Sequence, residues 1–499
     1  MGQLNPLAMS LNIILPAMAS CKLVTRLPLT MIKRISFALL AFSLLLPLGA
    51  AQAQDTPPPS GPIYIVQPGD SMSLIASRFG VTLADLMAAN NISDPNNLAA
   101  GAKLIIPGLE GIRGVLTTEV LNYGDTLHSL SRRNRVPEAF LRKLNHITSP
   151  SELYAGMGVI LPQQEDITPL QYRLSITQGE TLLEAAIRTG SDPWTLKTLN
   201  DLPGTWAALP GDVLYSLTGN EETGQASGMP ATFLSVQVTP LPMTQGRTSK
   251  IIIQTQPGVM LGGTLVDMPL HFFQQEDGSF VALQGVHVML PPGPYPLRLE
   301  AALPDGTQQS YEQMVLVQSG FYPNDPLLLV EPETIDPAIT EPESQQIADL
   351  TRQATPTRYW QGLFQSPAYF PDCFTSRYGN RRTYIGSGTG EKYFSFHSGV
   401  DFCGGEGLPI LAPADGVIVF AGPLTVRGNA TLIDHGWGIY SGFWHQSQIK
   451  VAVGQTVRKG ELIGIVGGTG RVTGAHLHWE VWVNGIQVNP LEWLEKAFP

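Results

Sequence analysis

Five of the chain's nine histidines, His397, His435, His445, His476 and His478, lie after residue 396. Two spacings among them have the form of a site. His397-Ser398-Gly399-Val400-Asp401 reads H-x-x-x-D, and His476-Leu477-His478 reads H-x-H. Alternate side chains of a strand share a face, so His476 and His478 point into one space while Leu477 and Trp479 pack behind. Two imidazoles and one carboxylate give tetrahedral zinc three ligands and leave the fourth position to water, the open coordination of a catalytic ion. H-x-H alone is weak evidence; joined to H-x-x-x-D in a glycine-rich stretch of short strands it is strong. His435 follows Asp434 at a glycine turn and reads as structural.

These groups need a scaffold, and composition bounds it. Of 499 residues 43% are hydrophobic and 14% charged, which supplies core for several domains and excludes wholesale disorder. With 51 Gly and 41 Pro the chain favours short strands and turns, so a multidomain, mainly β protein is expected. A net charge of −11 leaves nothing to neutralise phosphates and excludes a general nucleic-acid binder.

Lys33-Arg34, the apolar run Ile35 to Leu48 and Ala51-Gln52-Ala53 are the three parts of a secretory signal, expected over residues 1–53. Met31 sits where a start is expected. The run is shorter than the roughly 20 residues that span a bilayer. Export to the cell envelope (periplasm, wall or outside) follows, with no stable membrane span once the signal is removed. Met18-Ala19-Ser20-Cys21 is a competing lipoprotein site, but it lacks a basic start. Cys21 would leave with the signal. Cys373 and Cys403 then form a disulfide, which an oxidising compartment allows, or remain two buried thiols.

Nearer the N-terminus a repeat has a period of 55. Gly69-Asp70, Gly124-Asp125 and Gly179-Glu180 keep it, as do Leu86, Leu141 and Leu196, Asn90, Asn145 and Asn200, and Gly101, Gly156 and Gly211. Each copy reads β-α-α-β, with Ser71 or Thr126 capping the first helix. The first copy, with Tyr64-Ile65-Val66-Gln67-Pro68-Gly69-Asp70-Ser71 and Leu86-Met87-Ala88-Ala89-Asn90-Asn91, resembles the LysM domain, a module that binds N-acetylglucosamine glycans such as peptidoglycan. The resemblance implies modules over 62–108, 117–163 and 172–218, the last two degenerate. It makes Gly69, Asp70, Ser71 and Asn90 the candidate glycan-binding residues.

Alternating stretches such as Ile251-Ile252-Ile253 and Met314-Val315-Leu316-Val317 suggest an immunoglobulin-like sandwich over 230–320, with His271 and His287 as packing or surface residues. Residues 321–359 read as a semi-rigid Pro- and Glu-rich linker, Tyr322 to Ser344, and a short helix from Glu343 to Gln353.

Ser376-Arg377-Tyr378-Gly379-Asn380-Arg381-Arg382, Phe396 to Phe402, Ala412-Pro413-Ala414-Asp415-Gly416-Val417-Ile418, Ile433-Asp434-His435-Gly436-Trp437-Gly438 and Thr469 to Glu480 follow in order. This run resembles the lysostaphin/LytM-type zinc endopeptidases over 360–499. The resemblance implies a twisted antiparallel sheet with the metal on its groove floor. His397, Asp401 and His478 would hold one zinc ion, and His445 and His476 would act on the bound water and the transition state. Three departures stand out: Phe443 and Trp444 where many relatives carry Tyr before the second catalytic His, Cys403 at a usually small position, and no clear oxyanion Tyr beyond Tyr393. The reading is an exported peptidoglycan endopeptidase held on the wall by its LysM modules. The rival is a non-enzymatic LytM-type regulator that activates wall amidases.

Overall fold

The computed structural model describes residues 61–109, 111–165, 167–220 and 223–499. The expected signal and Cys21 lie outside the described residues. Among those described, no single helix is long and apolar enough to cross a membrane.

Three β-α-α-β units come first. Ile63–Ile65, Met72–Phe79, Leu83–Ala89 and Lys103–Ile105 make the first; Val115–Val120, Leu127–Asn134, Glu138–Asn145 and Gly158–Gln163 the second; Tyr172–Ser175, Leu182–Arg188, Pro193–Leu199 and Val213–Ser216 the third. Their repeat markers fold the chain. Ser71, Thr126 and Thr181 accept the backbone N–H three residues on and cap the first helix of each unit. Asn90 donates Nδ2 to Leu86 O and Ile105 O and accepts Ile105 N–H, bracketing helix to strand; Asn145 and Asn200 repeat the bracket on Ile160 and Tyr215. Asp70, Asp125 and Glu180 accept the backbone N–H three residues earlier and pair with Arg78, Arg133 and Arg188. Gly69 takes φ +90° in the turn. The candidate glycan residues Gly69, Asp70, Ser71 and Asn90 are thus all engaged in internal structure.

The first two units are fused. Ile63–Ile65 runs parallel to Val115–Val120, giving one four-stranded sheet. The second unit docks on the region that follows, where Tyr123 hydroxyl donates to Leu297 O at 2.8 Å and Gly124 N–H to Gln313 Oε1 at 2.7 Å.

That region holds two sheets. One orders Phe273–Gln274, Phe280–Gly285, Thr248–Thr255 and Phe233–Thr239; the other has five strands, including Gly293–Ala302 and Gln308–Gln318. Ile251, Ile253, Leu297, Leu299 and Val315 fill the space between. Phe280–Gly285 is buried on both faces. Ala282 faces this core, whereas Val281 and Leu283 join the C-terminal core with Trp479, Val481 and Val488, as period-2 alternation requires. Phe273 stacks on Trp437 at 4.7 Å, and Asn484 Nδ2 donates to Gln284 Oε1 at 2.6 Å.

Glu492 of the C-terminal helix crosses this seam and accepts Thr248 N–H and hydroxyl at 2.7 and 2.6 Å. Burial lifts its carboxyl from near 4.5 to about 7, against the pull of Thr248 and Arg247. A carboxyl so raised binds more protons folded than unfolded. Its contribution is complete below pH 4.5 and is lost as pH rises to about 7. Urea unfolding is expected to show a loss on the order of 3 kcal/mol across that window, which Glu492→Gln removes.

The stretch expected to be a spacer is built into the C-terminal domain. Leu328–Val330 pairs in parallel with Arg381–Gly386, a short 3-10 turn spans Pro332–Thr334, and a helix runs Pro337–Thr351, earlier than expected. Asp336 starts it by capping Ala338 N–H, and Pro337 suits the first helical position, where no amide is needed. Beyond lies a ten-stranded sheet carrying Val400–Phe402, Ile439–Ile449 and Leu477–Val483. Cys373 and Cys403 form a disulfide.

Candidate metal centre

Register brings the distant motifs together. Val400–Phe402 and Leu477–Val483 are antiparallel neighbours with Asp401 opposite His478, so the two side chains share a face. His397 follows the strand Lys392–Phe396 and reaches the same point through a tight turn. A Cβ on Gly399 would lie 2.7 Å from His478 Nε2 and 2.3 Å from Trp479 O, so only glycine lets the turn approach.

His397 Nε2, Asp401 Oδ1 and His478 Nδ1 lie 3.0, 3.2 and 2.7 Å from one another. The far nitrogens set the protons. His397 Nδ1 donates to Arg377 O at 2.8 Å, and His478 Nε2 donates to Glu480 Oε1 at 3.1 Å. In the neutral rings the facing nitrogens therefore carry lone pairs, and so does the carboxylate oxygen. Three lone pairs converging at such distances repel unless a cation, a metal ion or a proton on His478, sits among them. The spacing is close to the roughly 3.3 Å separating corners of a tetrahedron around zinc. The donor set fits a zinc ion, and all three residues are buried.

Charge is balanced by the same contacts. Burial opposes ionisation of Asp401, but the charge and hydrogen bonds of His397 and the bonds from His476 and His478 hold its carboxyl well below the usual range. Burial lowers His397. It would lower His478 too, yet the bonds and charges of Asp401 and Glu480 outweigh it and lift that ring to about 9 toward protons. Glu480 is itself drawn down to about 2, burial notwithstanding, by His478 and Arg427 and by the Ser398 hydroxyl, which donates at 2.5 Å. This orienting carboxylate was not singled out from the sequence, although H-x-H-x-E simply continues the alternation to residue 480.

His476 and His445 flank the triad. His476 Nδ1 donates to Gly474 O at 2.8 Å and leaves Nε2 3.4 Å from Asp401 Oδ1. His445 sits where simple alternation would turn it into the core beside Phe443. A bulge intervenes: the register slips between Asn429 and Thr431, and His445 adopts φ +63°. That left-handed residue, worth about 1–2 kcal/mol of strain, turns the ring to 5.2 Å from His476 and 6.0 Å from His478. Its Nδ1 donates to Thr469 O at 2.8 Å, and burial with the His478 and His476 charges pushes its pKa down to about 3, so it stays neutral.

Around them is a cleft of about 400 Å³, lined also by Arg382, Tyr384, Tyr393, Trp444 and, from the linker, Val330 and Ser344. Phe443 lies in the core behind. His435 is remote from the cluster, bonded to Asp415 O and Ser441, and burial lowers it to about 4. His287 packs edge-on to Phe396, and burial lowers both it and His271.

Residues 395–490 match the family model for peptidase family M23, and residues 64–107 and 121–162 match the LysM domain. DD-carboxypeptidase/endopeptidase Mpg of Neisseria meningitidis is 47% identical over 95 residues, 19% of this chain and 22% of that protein. Peptidoglycan DD-endopeptidase ShyA of Vibrio cholerae is 42% identical over 96 residues, again 19% and 22%. The chain thus aligns with less than a quarter of either relative. A solved structure described as a peptidase M23 of Pseudomonas aeruginosa is 26% identical, covers 52% of this chain and 97% of its own, and has a TM-score of 0.39.

Proposed function

Because this chain joins a peptidase M23 domain to LysM domains, we propose that it is an exported zinc endopeptidase that hydrolyses peptide cross-links of peptidoglycan, held at its polymer by the LysM units. The names of its relatives point to a D,D bond as the one cut. The observation that carries the reading is the convergence of His397 Nε2, Asp401 Oδ1 and His478 Nδ1, all lone-pair donors, on the floor of an open cleft. Zinc bound there would polarise the scissile carbonyl and make a water acidic near neutrality.

The remaining roles belong to the chain. His478 is oriented by Glu480, and Glu480 by Ser398, a relay that fixes which ring nitrogen faces the cleft. His476, the more open of the flanking rings and in contact with Asp401, is assigned to take the water's proton and return it to the leaving amine. His445, neutral and clamped by Thr469 O, presents Nε2 as a hydrogen-bond acceptor that orients the attacking water.

Purified peptidoglycan incubated with the zinc-loaded protein should lose cross-linked fragments and gain uncross-linked ones by mass spectrometry. A chelator should stop this and added zinc restore it. Zinc-loaded protein that leaves cross-links intact would sink the peptidase reading and favour the regulator of wall amidases.

A further inference from the structure

The cleft wall facing the linker is cationic, and its charges are unevenly compensated. Arg382, Arg427 and Arg471 all line it. The linker supplies acids for two of them: Asp325 pairs with Arg382 at 3.0 Å, and Glu343 with Arg427 at 2.8 Å. Arg471 receives something different. Its guanidinium lies 4.3 Å over the Tyr384 ring, and Nη1 donates to Thr334 O at 2.8 Å. Among the described residues no carboxylate pairs with it; burial lowers its pKa and the nearby Arg427 and Arg382 lower it further, so the charge it carries stands uncompensated.

A ring face and one carbonyl hold a planar guanidinium in place without neutralising it, and its remaining N–H groups suit bidentate capture of a carboxylate. Arg471 stands in the loop that leads to His476, and that loop is tied down where Arg471 N–H donates to Val426 O at 2.9 Å. That bond fixes the anchor's backbone at the start of the loop. The linker is the reason for the uneven compensation: Thr334 contributes the carbonyl that aims Arg471, while Asp325 and Glu343 pair with its neighbours and leave Arg471 as the cation of the three without a carboxylate partner.

Resting on the peptidase reading above, we propose that Arg471 is a specificity-determining residue that binds a free carboxylate carried by the substrate peptide. The protein then prefers peptides bearing that carboxylate over the same peptides with the group amidated. A charge-assisted, partly desolvated contact of this kind corresponds to at least a tenfold preference.

The test uses the full-length zinc-loaded protein and a synthetic cross-linked peptide pair, acid and carboxamide. Hydrolysis is followed by chromatography and binding by calorimetry. Wild type is expected to favour the acid at least tenfold in kcat/KM and in affinity; Arg471→Gln should erase the preference by weakening only the acid, and Arg471→Lys should restore part of it. Equal losses on acid and amide, or a preference that survives Arg471→Gln, would overturn the proposal. The latter result would place the carboxylate on the metal instead. If wild type cuts neither peptide, the peptidase reading fails separately, while the calorimetric comparison still decides for or against Arg471.

Discussion

His476→Ala is expected to keep its zinc and lose about 10²–10⁴ in kcat, whereas His478→Ala loses zinc and activity together. The two residues are neighbours on one strand face, yet their ring nitrogens do different work. His478 Nδ1 is one corner of the converging triad, 2.7 Å from Asp401 Oδ1. Without it two donors remain, and the buried carboxylates of Asp401 and Glu480 lose their shared partner. That costs about 3–5 kcal/mol of stability as well, so a thermal melt should fall with the metal content. His476 touches the triad only through a 3.4 Å contact, and its loss leaves all three ligands in place. Metal content by atomic emission, set beside turnover, separates them. A His476→Ala protein without zinc would show that the ring is a ligand and that the roles were wrongly divided. His445 calls for Asn rather than Ala, since Asn tolerates the left-handed backbone at φ +63°.

Residues 321–499 alone are expected to be far less stable than residues 230–499. Val281, Leu283 and Val288 sit in the same core as Trp479 and Val488, so removing them opens that core to water. The Phe273 ring leaves the face of Trp437, Asn484 loses Gln284, and Glu492 loses both Thr248 bonds. A large aromatic contact costs about 3–5 kcal/mol and each orphaned polar group about 1–3. The sum is roughly 5–10 kcal/mol, comparable with the whole margin of a domain. Urea unfolding of the two fragments measures it. Midpoints that coincide would mean the two-sheet region merely leans on the catalytic domain.

The site was legible because its motifs obey the strand period. H-x-H places two rings on one face by geometry alone, and a glycine between His397 and Asp401 allows the turn that brings them to it. His445 was not legible in orientation, since alternation turns residue 445 inward and only a bulge reverses it. The repeat is legible as a period, but the hydrogen bonds that its markers make within each unit are not. Asn90 spends its amide on Leu86 and Ile105, and the arginines at 78, 133 and 188, which keep the same spacing, passed unnoticed. The linker misled because Pro and Glu are read as spacer composition. Pro337 instead opens a helix, and Glu343, only 6% exposed, is an ion-pair partner. The helix start lies in the local pair Asp336-Pro337, whereas the burial of Glu343 depends on Arg427, a tertiary partner that no local pattern contains.

Leu328–Val330 is only three residues long, but it is the outer strand of a three-stranded sheet and covers Arg381–Gly386, which without it would be the edge. An uncovered edge offers a row of free N–H and C=O groups to any passing strand. The linker strand occupies that row within its own chain. A protein cut between residues 330 and 337 and stripped of the strand would present a sticky border beside its cleft, and its copies would have reason to join there. The same short segment that shapes the cleft also keeps each molecule to itself along that edge.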